Sequence, residues 1–158
     1  MGPLINQRQR QQVAALVEDA VEAGATLLTG GKVPTELSKG YFYSPTVLGD
    51  IDKDSPAFLK EVFGPVLLIT PFKTLEEAID LANDTEYGLC AYVWTKDLNT
   101  AIHASEALEF GMVGINEWFP YATEAPFLGW KQSGQGSELG HDGIFEYLDK
   151  KLIGIGNL

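Results

Sequence analysis

Apolar residues in the first part of the chain recur at helical spacing. Between Gln7 and Ala23, Val13 is followed by Leu16, Val17, Ala20 and Val21, which share one helical face, and Gly24 ends the pattern. A short apolar run from Ala25 to Thr29 predicts a strand closed by Gly30-Gly31, and Lys32 to Gly40 reads as polar turn. Tyr41 to Leu48 is aromatic and β-branched, but Pro45 makes it an edge strand at best. The unbroken apolar run from Val66 to Phe72 predicts a strand buried on both faces. Thr74-Leu75-Glu76-Glu77 offers a capping box for a helix reaching about Asn83. Leu89 to Thr95 predicts a second strand, Asp97 caps a helix through Leu108, and Gly111 to Ile115 predicts a third strand.

This alternation predicts an α/β fold, with an open, mostly parallel twisted sheet flanked by helices, because a parallel neighbour is reached only by crossing over the sheet face. Ligands of such sheets sit beyond the carboxyl ends of the strands, so the loop opened by Asn116 is a candidate site lip. From Asn116 to Gly136 it reads NEWFPYATEAPFLGWKQSGQG. Its aromatics, Trp118, Phe119, Tyr121, Phe127 and Trp130, need something to pack on, which a long functional loop, a ligand pocket or a subunit contact would each supply. The closing segment Glu146 to Ile155, EYLDKKLIGI, predicts a last strand.

Composition narrows the partners. The 158 residues, 45% apolar and 21% charged, are those of an ordinary packed domain. With 22 acidic against 11 basic residues and a net charge of -11, neither nucleic acid nor an anionic membrane surface is an expected partner. No stretch approaches the ~18 apolar residues of a membrane span, and MGPLINQRQRQQV lacks the apolar core of a signal peptide. One cysteine, Cys90, forms no internal disulfide and is compatible with a reducing compartment, so a cytoplasmic location is the expectation.

Few side chains suggest chemistry. Cys90, between Leu89 and Ala91-Tyr92-Val93, has no neighbouring His, Lys or helix start to activate it and reads as a small core residue. His103 and His141 lack metal-ligand spacing and read as surface residues, and no metal site is expected. Ser133, His141 and Asp142 lack a nucleophile elbow. Gly129 to Gly140 is glycine-rich, yet Lys131 precedes its later glycines, so neither a P-loop nor a dinucleotide fingerprint is met. Glu61-Val62-Phe63-Gly64-Pro65 has two readings: a structural turn, or a carboxylate for a sugar diol beside an aromatic ring for a flat heterocycle.

Taken together, KEVFGPV at 60 to 66, YFYSPTVL at 41 to 48 and APFLGWKQSGQGSELG at 125 to 140 resemble the aldehyde dehydrogenase superfamily in its usual order. PLIN at 3 to 6 and EYLDKK at 146 to 151 extend the resemblance over nearly the whole chain. It implies that residues 1–143 are the C-terminal portion of the catalytic domain and 144–158 an oligomerisation strand and tail. It also implies NAD or NADP as cofactor, a small-molecule aldehyde as substrate and a homo-oligomer. By position, Glu61 would hold the nicotinamide ribose and Phe63 would pack near the ring, while Asn116, Tyr121 and Phe127 would line the aldehyde side. The catalytic cysteine, the general-base glutamate and the dinucleotide-binding domain of that family lie upstream of these residues. The chain alone is therefore expected to be inactive, with weak or absent cofactor binding. KQSGQGSELG and GIFEYLDKK look closest to succinate-semialdehyde dehydrogenases, although Tyr121-Ala122 stands where those enzymes tend to place serine. Leu128 replaces the first glycine of a common Gly-Gly pair, and Ser137 a frequent arginine. A non-catalytic truncated oligomer and a related acyl-phosphate or acyl-CoA reductase are the alternatives.

Overall fold

A computed structural model describes residues 1–37 and 39–157. The chain forms two compact units, Met1–Phe72 and Lys73–Leu158.

The first unit begins with α1 (Gln7–Glu22), whose N-cap Asn6 accepts a hydrogen bond from Gln9 N at 2.8 Å. Gly24, at φ 109°, stops the helix in the left-handed backbone region. Of the predicted apolar face, Val13, Val17 and Ala20 are buried, whereas Val21 lies at the margin. β1 (Thr26–Thr29), β2 (Thr46–Gly49) and β3 (Val66–Ile69) form one sheet in that order, antiparallel from β1 to β2 and parallel from β2 to β3. A short helix α2 (Pro56–Leu59), capped by Ser55, precedes β3. Leu48 lies at the centre of the core with Val13, Val17, Tyr43 and Ile51.

Two expectations are corrected in this unit. The segment judged an edge strand at best contains the central strand of its sheet, because β2 starts at Thr46, one residue beyond Pro45. Thr46 N is thereby free to donate to Pro65 O at 2.8 Å, and Pro45 blocks no ladder bond of the strand. The Val66–Phe72 run, by contrast, is strand only to Ile69 and is not buried on both faces. Val66 and Leu68 pack on the core, while Leu67 and Ile69 on the other face are exposed.

The second unit contains α3 (Leu75–Asn83), β4 (Tyr87–Gly88), β5 (Cys90–Val93), α4 (Leu98–Ala107) and β6 (Met112–Ile115). It continues with β7 (Phe127–Leu128), β8 (Trp130–Lys131) and β9 (Ser137–Glu138), then a 3-10 turn at Asp142–Tyr147. β5 and β6 are parallel and joined by α4, the expected crossover unit. The pairs β4-β8 and β7-β9 are antiparallel, two residues long, and were not legible in the pattern. Ile79, Ala104 and Leu108 form the core, with Leu75, Val93 and Val113 against it.

The expected helix starts are present. Thr74 Oγ1 accepts from Glu77 N at 3.1 Å, and Glu77 Oε2 accepts from Lys73 N at 2.7 Å, one residue earlier than the usual return bond of a capping box. Asp97 Oδ2 accepts from Thr100 N at 2.7 Å at the start of α4. The backbone hydrogen bond from Thr100 holds the Asp97 carboxyl below its ordinary value of 3.8. A carboxylate lowered on folding stabilises above its unfolded value and loses that contribution as pH falls through its folded one. The first turn of α4 is thus expected to be intact from neutral pH to about pH 5 and to fray below about pH 3.8. Asp97→Asn is expected to flatten that dependence, read from the Thr100 amide shift against pH.

The predicted strand at Glu146 to Ile155 is not one in this chain. Glu146 and Tyr147 belong to the 3-10 turn, and residues 148–157 carry no ladder. Tyr147, Leu152, Ile153 and Ile155 are exposed. Strand geometry needs a neighbouring edge for its backbone groups, and among the described residues none pairs with this segment.

Candidate functional site

The Glu61-to-Pro65 turn lies in the first unit, between α2 and β3. It is folded tightly: Gly64 N donates to Val62 O at 2.7 Å, and Val66 N donates to Gly64 O at 2.8 Å. Both bonds skip one residue, as in γ-turns. Pro65 O accepts from Thr46 N, which ties the turn to the central strand. Glu61 is exposed, and Phe63 is 69% exposed. Both border a groove of about 500 Å³ whose other wall is α1, with Gln9, Gln12, Leu16 and Asp19. A free carboxylate, an uncovered ring and two amide side chains suit a ribose diol and a flat heterocycle. Sequence reasoning named Glu61 and Phe63 and missed Gln9 and Gln12, which sit on the polar side of a helix and carry no pattern of their own.

The aromatic loop lies in the second unit and starts at the end of β6. Asn116, at φ 53°, makes two hydrogen bonds with one residue: Oδ1 accepts from Thr95 N at 2.9 Å, and Nδ2 donates to Thr95 O at 2.8 Å. Its amide thus locks the loop root to the segment after β5. Beyond it the rings pack on one another. The Trp118 and Phe119 centroids are 5.2 Å apart, those of Phe119 and Tyr121 4.0 Å, and those of Tyr121 and Phe127 6.0 Å in an edge arrangement. Tyr121 and Phe127 are therefore brought together, with Phe127 fixed by pairing to Glu138 across β7-β9.

The glycine-rich segment holds this loop in shape. Gly134, Gly136 and Gly140 have φ of 125°, 90° and 58°. Lys131 Nζ contacts Glu109 Oε2 at 2.8 Å and donates to Asn83 O at 2.8 Å, so it is a structural tether. Ser133 Oγ accepts from Gly88 N at 3.0 Å. The two departures from the family pattern, Leu128 and Ser137, face each other in the β7-β9 register. They line a cleft of about 320 Å³ that Leu89, Gly136, Glu138 and Tyr147 also border.

The remaining candidates have ordinary positions. Cys90 is half-buried on β5, with Sγ 3.7 Å from Ala91 O. His103 is exposed on α4, and His141 packs edge-on against Phe145 at 5.2 Å. Among the described residues no group of three or more His, Cys, Asp or Glu is arranged to hold a metal ion, and no helix is long and apolar enough to cross a membrane.

Residues 1–153 match the model of the Aldehyde dehydrogenase family. The chain belongs to this family. A succinate-semialdehyde dehydrogenase of Paenarthrobacter nicotinovorans is 48% identical over 155 residues, covering 98% of this chain and 34% of that protein. A betaine aldehyde dehydrogenase of Bacillus subtilis is 46% identical over 154 residues, covering 96% of this chain and 31% of that protein. The fold is similar to that of a Mycobacterium tuberculosis aldehyde dehydrogenase crystallised with NAD+, with a TM-score of 0.91 and 40% identity over all of this chain and 33% of that one. The chain thus spans about a third of the length of these relatives. Its mixed α/β architecture is that of the aldehyde dehydrogenases it matches.

Proposed function

We propose that this segment belongs to an NAD(P)-dependent aldehyde dehydrogenase and that each of its two units carries contacts for one reactant. Glu61 and Phe63 meet the nicotinamide riboside, and the loop from Asn116 to Phe127 meets the aldehyde. The observation that carries the reading is the exposed carboxylate and ring at the rim of the α1 groove, in a chain that matches the family from end to end. When bound, NAD(P)+ accepts the hydride of the aldehyde. The aldehyde would add a cysteine thiol outside this chain to give a thiohemiacetal, lose the hydride from it to leave a thioester, and end as a carboxylic acid when water hydrolyses that thioester and frees the thiol; Cys90, half-buried on a strand, is not assigned that part. Glu61 would accept hydrogen bonds from the ribose hydroxyls, Phe63 would cover one face of the ring, and Tyr121 and Phe127 would give the aldehyde an apolar surface to pack on. Asn116 acts by holding the loop root.

Succinate semialdehyde and betaine aldehyde are the first substrates to test. The loop favours the second, because no Lys or Arg occurs between Lys96 and Lys131 to meet a substrate carboxylate. Residues 144–158, which carry no ladder within one copy among the described residues, would gain strand geometry by pairing with another copy of the chain.

In a full-length protein containing this segment, Glu61→Gln is expected to raise KM for NAD(P)+ by about tenfold, the equivalent of one charge-assisted hydrogen bond, with a smaller change in kcat. An unchanged KM would remove Glu61 from the cofactor site. Activity that requires phosphate or coenzyme A would favour the acyl-phosphate or acyl-CoA reductase instead. The 158-residue chain alone is expected to form no reduced cofactor above a blank.

A further inference from the structure

We infer that Gln9 is a positioning residue for the nicotinamide-side turn, an inference that rests on the reading of Glu61 and Phe63 as cofactor contacts. Gln9 lies in the first turn of α1, 54 residues from Phe63, and its Nε2 donates to Phe63 O at 2.8 Å. One helical turn later, Val13 packs against the next residue of the same peptide unit: a Cβ on Gly64 would lie 2.5 Å from Val13 Cγ2. Val13 is 1% exposed, so it cannot withdraw. α1 therefore grips the Phe63–Gly64 peptide at two points, its carbonyl by Gln9 and its following Cα by Val13.

The grip matters because it fixes the one carbonyl of the turn centre that the turn's own bonds leave out. Glu61 and Phe63 are exposed, and the two backbone bonds of the turn use the carbonyls of Val62 and Gly64, not that of Phe63. The N–H of the Phe63–Gly64 peptide is held within the turn by Val62 O, and its carbonyl is held from outside the turn by Gln9, so loss of the Gln9 bond would let that carbonyl tilt and shift the ring across the groove. Fixing that peptide in advance removes an ordering cost from cofactor binding. A neutral hydrogen bond of this type corresponds to about a two- to tenfold effect on affinity.

The test uses the isotopically labelled 158-residue chain and nicotinamide riboside as probe, with amide shifts read by NMR. Gln9→Met keeps length, helix preference and neutrality but cannot donate. Gln9→Lys can donate, and its charge opposes the cationic pyridinium, so any rescue cannot come from attraction. Millimolar riboside is expected to shift the Phe63 and Gly64 amides of the parent chain. Q9M is expected to move the Gly64 amide before any ligand is added and to weaken the riboside about two- to tenfold, with the remaining α1 shifts unchanged. Q9K is expected to bind within about twofold of the parent chain. If Q9M leaves both the Gly64 shift and the affinity unchanged while the parent chain binds, the positioning role is overturned and the cofactor reading stands. If riboside moves no amide from Glu61 to Gly64 in the parent chain, the comparison is read from KM for NAD(P)+ in the full-length protein: an unchanged KM for Glu61→Gln overturns the cofactor reading and the positioning role with it, and an unchanged KM for Q9M alone overturns the positioning role.

Discussion

Leu48→Ala is expected to lower the stability of the first unit by about 3–4 kcal/mol. Leu48 is fully buried in the middle strand of the three-stranded sheet, with α1 packed over it. Truncation removes buried methyl groups and leaves a cavity that cannot collapse, because β2 is hydrogen-bonded on both sides. Against a total of about 5–15 kcal/mol for a domain, such a loss approaches unfolding. Leu67→Ala, one residue earlier in the paired register of β3 and on the exposed face, is the control, with an expected change within about 0.5 kcal/mol. Urea unfolding followed by exchange of the β2 amides measures both. Equal effects at the two positions would mean that the sheet face carrying Leu67 is covered.

Gly111→Ala is the second substitution with a large expected effect, and it acts on the aldehyde-side loop. A Cβ at Gly111 would stand 2.2 Å from Leu128 O and 2.8 Å from Leu128 C. Both are backbone atoms, so no rotamer change relieves the clash, and Leu128 is held by β9. Either β7 leaves its pairing and takes Phe127 with it, or the Gly111 N bond to Gly88 O, 2.9 Å long, breaks. A cost of about 3 kcal/mol in the second unit is expected. Trp94, Trp118 and Trp130 all lie in that unit, so tryptophan fluorescence during unfolding reads it. An unshifted midpoint would show that the loop yields without cost.

Not every element was equally legible, and the differences have physical causes. The starts of α3 and α4 could be read because a cap is a local bargain between a hydroxyl or carboxylate and an amide three residues away. The same holds for the end of α1, where Gly24 adopts a backbone that other residues resist. Strand character was legible in Val66–Phe72, but its exposure was not. Apolar sequence marks a surface that can be covered, and whether a neighbour covers it depends on residues far away in the chain. Pro45 misled because a one-residue difference in strand start decides whether its missing N–H matters. The candidate site divided in the same way. Glu61, Phe63, Asn116, Tyr121 and Phe127 stood out by residue type and by resemblance, whereas Gln9 did not, since a glutamine on the polar side of a helix says nothing about what it reaches.

The sequence by itself determined α1, α3, α4, the α/β alternation and the family, because caps, periodicity and ordered motifs are written in neighbouring residues, whereas α2 and the 3-10 turn were not read from it. Only the tertiary structure decided that β2 is central, that β3 keeps one open face and that the last ten described residues lack a ladder. It alone also set the Asn116 amide on Thr95, Lys131 on Asn83 and Glu109, and Gln9 on Phe63. Each of those contacts joins positions separated by at least 21 residues, and a single chain read in order contains the partners but not their meeting.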